Sequence, residues 1–301
     1  MTTQPALADL HRHLDGSLRP DTVVALADAL GVTVPSGLGF SPGMGLEAAL
    51  AQFAFTVSLL QTPDSVRRVA AEMCEDALSE DVTTLEIRFA PQLHQGAAIE
   101  EIIDAVLDGI DGRAGLILCA LYSQSPDIAE RLVDVGAPRT GVVALDLAAA
   151  PIPGNPWSIE DYAPAFEKAA RQGLGRTVHA GEGQPASQIK TAIELLGAQR
   201  IGHGCSLLDD PDLLELVLAK GVTIEACPTS NTHTDVFDSI DQHPLPRWLS
   251  LGVRACICTD NTLLSQVNAP QEYARAASIP GMTPKLMELA TRWGHEGAFR
   301  P

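Results

Sequence analysis

Residues 6–17 read ALADLHRHLDGS, and the way this run ends decides between two architectures. Its first half has the apolar character of a strand. Along a strand, side chains i, i+2 and i+4 share a face, so His11, His13 and Asp15 are expected to converge on one small volume. Two imidazoles and a carboxylate in one place suggest a metal. A doubly wound open sheet usually follows its first strand with a Gly-rich phosphate loop, G-x-G-x-x-G. Here the strand ends in HRHLDG, and no such loop follows.

Similar runs recur along the chain: ALADLHRHL, VTTLEIRFAP, GLILCALY, GVVALDLA, GRTVHAGE, QRIGHG, VTIEACPTSN and VRACICTDN begin near residues 6, 82, 115, 141, 175, 199, 222 and 253. Amphipathic stretches such as PDSVRRVAAEMCEDAL, SIEDYAPAFEKAARQ, PASQIKTAIELLG and DPDLLELVLAK lie between them, several opening with Pro, Ser or Asp as helix starts prefer. Eight strands that alternate with helices across 301 residues, with no linker or low-complexity tract, predict a single-domain (β/α)₈ barrel over residues 1–301. In that architecture functional residues gather at the C-terminal ends of the strands.

Composition narrows the function. The chain has 20 Lys and Arg against 38 Asp and Glu, a formal charge of −18, which argues against a nucleic-acid partner and for a small neutral substrate. The six cysteines lack CxxC spacing and read as buried thiols of a reducing compartment. No basic-then-apolar leader opens the chain and no stretch approaches the roughly 18 apolar residues of a membrane span. A cytoplasmic protein without membrane contact is expected.

The strand ends carry HRHLDG at the first strand, HAGEG at the fifth, GHG at the sixth and TDN at the eighth. On one barrel rim, His11, His13, His179, Glu182, His203 and Asp260 would surround a single site. Any one of these histidines alone is more often a hydrogen-bonded core residue, so the weight lies in their joint placement. Zinc suits a site rich in imidazole with a carboxylate, and a catalytic zinc keeps a position for water, whose pKa it lowers toward about 7. Glu182, three residues after His179, and His203 are placed to act as acid and base. The other four histidines, His94, His233, His243 and His295, read as structural, with His233 near enough to the seventh strand to reach the pocket.

The motifs HxHLDG, HAGE, RxGHG and TD, together with EIRFAP, DLA and CPTSN in the same order, resemble the adenosine deaminase family of zinc-dependent amidohydrolase barrels over nearly the whole chain. The resemblance implies one zinc ion held by His11, His13, His179 and Asp260. It implies that Glu182 protonates N1 of a 6-aminopurine, while His203 and Asp260 orient and deprotonate the attacking water. Asp15 would bond the ribose 5′-hydroxyl, the backbone of Gly181 would contact the base, and the substrate would be a purine nucleoside. A monomer or small homo-oligomer is expected, since no heptad or apolar stripe argues otherwise.

Three positions depart from the family pattern. Asn261 stands where a second acid usually donates to purine N7, although an amide still donates a hydrogen bond. Ala149 stands where DLAG normally has its glycine, and its methyl narrows the approach to purine N3. The chain also stops at HEGAFRP, earlier than typical members of that family, so either the last helix is shortened or the sequence is cut there. The stretch GLGFSPGMGLEAALAQFAFTVSLL, within residues 37–62, occupies the position of a lid, where Leu50, Phe53 and Phe55 either line the pocket or join the core. Arg12 and Arg19 flank the first motif. If free, they would favour a modified nucleoside such as aminodeoxyfutalosine; paired with surface acids, they would favour adenosine or 2′-deoxyadenosine, with free adenine another alternative. A non-catalytic purine-binding relative is the alternative of another class, and the presence of all the ligands and both acid/base residues speaks against it.

Overall fold

The computed structural model describes residues 6–151 and 154–299. Its eight strands are β1 (Leu7–His13), β2 (Val82–Phe89), β3 (Gly115–Leu121), β4 (Val142–Ala148), β5 (Gly175–Ala180), β6 (Arg200–His203), β7 (Thr223–Ala226) and β8 (Arg254–Ile257). They pair in parallel and in chain order from β1 to β8. The ring closes just beyond β8. There His13 N–H donates to the Asp260 carbonyl and Asp260 N–H donates to the His11 carbonyl, both at 2.8 Å. All eight expected strands are present, and the single-domain barrel is the observed fold.

Strands buried on both faces read as continuous apolar runs, as β3 (GLILCAL) and β4 (VVALDLA) do. The helices cover the outside of this sheet. Helix Pro63–Ser79 starts with Pro at its first turn and a reciprocal cap in which Thr62 and Ser65 exchange hydrogen bonds at 3.2 Å. Helix Ile99–Ile110 buries Ile99, Ile102, Ile103, Val106 and Ile110, the spacing of a single helical face. The two helices pack so closely that a Cβ on Gly109 would lie 2.2 Å from the Arg67 carbonyl oxygen.

The lid-like stretch forms turns followed by helix Leu46–Leu59, inserted between the barrel helices Pro20–Leu30 and Pro63–Ser79. Phe55 packs on the main core, whereas Leu50 and Phe53 face the cavity at the C-terminal rim. One local expectation fails. β1 stops at His13 and Asp15 lies in the following turn, so strand alternation does not carry it to the face shared by His11 and His13. Five cysteines are buried, Cys205 is half-buried and all six are free thiols. No helix among the described residues is long and apolar enough to cross a membrane.

Gly109→Ala is expected to lower stability by about 1–3 kcal/mol, because its methyl group must push two packed helices apart. Urea denaturation measures this, and a loss below about 0.5 kcal/mol, the range of an ordinary surface change, would show that the contact yields freely.

Candidate active site

The rim of the barrel brings together four of the residues singled out in the sequence. His11 Nε2 and His13 Nε2 lie 3.2 Å apart, and His13 Nε2 and His179 Nε2 also lie 3.2 Å apart. Asp260 Oδ1 sits 3.5 Å from His11 Nε2 and 3.4 Å from His13 Nε2. A tetrahedral ion with bonds of about 2.0–2.1 Å has edges of about 3.3–3.4 Å between its ligands, so these spacings fit zinc.

The proton inventory points the same way. His11 donates its Nδ1–H to Glu225 Oε2 at 2.7 Å, and His179 donates its Nδ1–H to Asp146 Oδ2 at 3.1 Å. Burial, reinforced by the Arg88 charge and the neighbouring rings, holds His11 well below its ordinary pKa, and burial with the His179 and Arg88 charges does the same to His13. With its Nδ1–H given to Glu225 and its ring neutral, His11 turns a bare Nε2 lone pair toward one point, where Nε2 of His13 and His179 and a carboxylate oxygen also arrive. Burial lowers the pKa of His179, but the Asp146 carboxylate outweighs it and raises that pKa. His13 has one Nε2 to offer and cannot satisfy both neighbours. A cation can.

Glu225 and Asp146, which the sequence motifs give no role, orient the His11 and His179 rings. Arg88 joins them, donating to Asp146 Oδ2 at 2.9 Å, to Glu225 Oε2 at 2.7 Å and to the Leu10 carbonyl at 2.7 Å. Arg200 and Thr177 hold the other oxygen of Glu225 at 2.6 and 2.9 Å. All five side chains are buried. Burial opposes the charge on Glu225, but Arg88 and Arg200 overcome it and bring its pKa down to about 2. The available signal was charge inside an otherwise apolar strand: Glu86 and Arg88 in EIRF, Asp146 in ALDLA and Glu225 in TIEA.

Glu182 and His203 stand beside this cluster, with His203 Nε2 3.5 Å from Glu182 Oε2. Burial raises the pKa of the Glu182 carboxyl, favouring the protonated form required of an acid. Burial also pushes His203 down to about 4, so its ring is neutral. The helix Pro228–His233, which follows β7, supports this group. Ser230 Oγ donates to Asp260 Oδ2 at 2.6 Å, and Thr234 Oγ1 donates to Glu182 Oε1 at 2.8 Å. Gly202 provides room for the cluster, since a Cβ there would stand 2.9 Å from the His11 ring.

Three rim residues other than glycine adopt left-handed backbone: Ala149 (φ 64°), His203 (φ 67°) and Asp260 (φ 62°), immediately after β4, at the end of β6 and beyond β8. Such conformations cost about 1–2 kcal/mol each for residues with a Cβ, and they aim side chains where regular strand geometry does not. Ala149 thus keeps the backbone that a glycine would adopt easily, and adds a methyl group to the cavity wall.

That cavity is lined by His13, His179, Glu182, His203, Asp260 and Asn261, and is roofed by Phe40, Leu46, Ala49, Leu50 and Phe53. It encloses only about 50 Å³. A nucleoside-sized ligand exceeds that volume. Asn261 Oδ1 is buried there without a hydrogen-bond partner among the described residues. Asp15 and Gly181 lie outside the lining; Asp15 is buried and raised to about 7 by that burial, and the Gly181 N–H donates to Gln188 Oε1 at 2.9 Å. His233 packs its ring against Phe40 and does not line the cavity. Arg12 is buried against Asp9 and Glu80, and Arg19 pairs with Glu75 and Asp76, so neither guanidinium is free for an anionic ligand. A larger concavity, 470 Å³ beside Gly115 and Phe299, lies at the opposite end of the strands and gathers no comparable cluster.

A parallel barrel whose C-terminal rim joins residues able to hold a metal to a buried carboxyl and an imidazole has the architecture of a metal-dependent hydrolase. The comparisons agree. The profile of the adenosine deaminase family matches residues 6–301, and the chain belongs to that family. An adenosine deaminase of Shewanella halifaxensis is 39% identical over 289 residues, covering 89% of this chain and 86% of that protein. One of Clostridium perfringens is 37% identical over 285 residues, covering 88% and 85%. Among solved structures, an adenine deaminase of Arthrobacter aurescens superposes with a TM-score of 0.89 at 26% identity, covering 99% of this chain and 95% of that one. An amidohydrolase of Burkholderia ambifaria with bound Zn gives 0.89 at 25% identity, covering 98% and 86%.

Asp146→Asn is expected to weaken zinc binding about 10–100-fold, because the amide holds the His179 ring less firmly and makes it less basic. Competition with a chromophoric chelator reads the affinity; an unchanged value would remove Asp146 from this role.

Proposed function

We propose that this protein deaminates adenosine and 2′-deoxyadenosine hydrolytically at C6, giving inosine or 2′-deoxyinosine and ammonia, with one zinc ion per chain. The observation that carries the reading is the convergence of three imidazole nitrogens and a carboxylate oxygen beside a buried carboxyl that favours its protonated form. His11, His13, His179 and Asp260 would hold the ion, which when bound supplies Lewis acidity to the attacking water.

The chain's own residues carry out the proton transfers. Glu182 gives its proton to ring N1, which makes C6 electrophilic. Water adds to C6 while His203 and Asp260 orient it and accept one proton. That proton passes to the amino group, the C6–N bond breaks, and ammonia leaves. The remaining hydroxyl proton returns to Glu182 as the C6 carbonyl forms, so the carboxyl begins and ends protonated.

Among the described residues no Lys or Arg lines the cavity, which favours a nucleoside or base over a nucleotide. The pairing of Arg12 and Arg19 weighs against an anionic modified nucleoside such as aminodeoxyfutalosine. Free adenine is the second reading, prompted by the adenine deaminase among the structural neighbours.

An ultraviolet assay on zinc-loaded protein with adenosine, 2′-deoxyadenosine, adenine and aminodeoxyfutalosine tests this directly. Fastest turnover is expected with the two nucleosides, and a clear preference for adenine or aminodeoxyfutalosine would replace the substrate assignment. Glu182→Gln should retain zinc and lose about 10²–10⁴ in kcat, since an amide cannot deliver the proton; normal turnover by that variant would assign the acid elsewhere.

A further inference from the structure

The helix Pro228–His233 and the adjoining Thr234 reach all three groups assigned to proton handling. Ser230 holds Asp260 and Thr234 holds Glu182. Asn231, which lies between them in sequence and is fully buried, touches two at once. Its amide nitrogen is 3.1 Å from His203 Nδ1 and 3.4 Å from Glu182 Oε1.

Those two neighbours determine which way the amide faces. The single hydrogen of the Thr234 hydroxyl has two acceptors in reach, Glu182 Oε1 at 2.8 Å and the Ser230 carbonyl at 3.2 Å; given to the nearer, it makes Oε1 the acceptor oxygen of that carboxyl. An amide oxygen 3.4 Å from Glu182 Oε1 would oppose an acceptor, whereas an NH₂ group has one hydrogen for Glu182 Oε1 and one for His203 Nδ1 at 3.1 Å. An Nδ1 that accepts carries no proton. A neutral imidazole then keeps its single N–H at Nε2, the atom that faces Glu182 Oε2 across 3.5 Å. By the same logic, the proton of Glu182 sits on Oε2. Two hydrogen-bond donors therefore flank the reacting centre, and the one acceptor left in this group is the Asp260 carboxylate, whose Oδ2 is held by Ser230.

We propose that Asn231 is a positioning residue that fixes His203 as the Nε2–H tautomer, so that His203 donates a hydrogen bond to the attacking water and Asp260 alone takes its proton. This rests on the deaminase reading above and divides a task that the reading assigns to His203 and Asp260 together. The proton balance is otherwise unchanged. One O–H bond of water breaks, its proton goes to the Asp260 carboxylate and then to the leaving amine, and His203 keeps the same proton throughout.

The test is ¹⁵N spectroscopy of histidine-labelled, zinc-loaded full-length protein, with the His203 signals identified by their loss in His203→Gln. A bare Nδ1 and a protonated Nε2 are expected in the wild-type protein, and a protonated Nδ1 overturns the proposal. Asn231→Asp sets an acceptor opposite Nδ1. It is expected to move the proton to Nδ1 and lower kcat about 10²-fold or more, with zinc content and KM little changed. An Asn231→Asp protein that keeps the Nε2–H signal and wild-type kcat also overturns it. The functional reading fails separately: a wild-type protein with the Nε2–H tautomer but no turnover of any 6-aminopurine would sink the deaminase assignment and leave the role of Asn231 in setting the tautomer intact. Turnover with a protonated Nδ1 would do the reverse.

Discussion

The site depends on a buried chain of charge inside the barrel, in which Glu225 and Asp146 each grip an imidazole from below and Arg88 ties the two carboxylates together. Placing such charges in a core is unfavourable unless each is paired, and here Arg88 and Arg200 supply the pairing. The network keeps Nδ1 of His11 and of His179 protonated. Their Nε2 atoms are pointed at one place. Without the carboxylates the rings are free to adopt the other tautomer, and the ligand set loses its preference for a cation.

Above that layer the chain accepts backbone strain to finish the site. His203 and Asp260 take left-handed conformations at rim positions where regular strand geometry would turn their side chains elsewhere. Asp260 also serves the fold, since its backbone completes the ring against β1 through His11 and His13. Closure of the barrel and placement of the carboxylate are thus one structural event, and a change that disturbs either disturbs both. Ala149 shows the same principle with a different outcome, retaining a left-handed backbone while narrowing the cavity by a methyl group.

Much of this was legible in the sequence because the signals were periodic. Strands buried on both faces read as apolar runs, and the helices between them open with recognisable first-turn residues. Parallel topology then requires that the His, Glu and Asp residues at strand ends share a rim. Local geometry was harder to read. Asp15 was expected to share a face with His11 and His13, but alternation holds only while the strand lasts, and β1 ends two residues before it. The roles of Asp146, Glu225 and Asn231 were not legible, because each depends on a partner far away in the chain: His179, His11 and His203 respectively. The lid was ambiguous for a related reason. Helix Leu46–Leu59 is apolar on several sides, and only its packing shows Phe53 turned to the cavity and Phe55 to the core.

The central claim is that the cluster of His11, His13 and His179, completed by Asp260, exists to hold a metal ion. Anomalous diffraction at the zinc absorption edge, from crystals of zinc-loaded protein, tests it most directly. One strong peak within about 2.0–2.2 Å of the three Nε2 atoms and an Asp260 oxygen is the result this account predicts. A saturated crystal with no peak there, or with its zinc held by other residues, would contradict it.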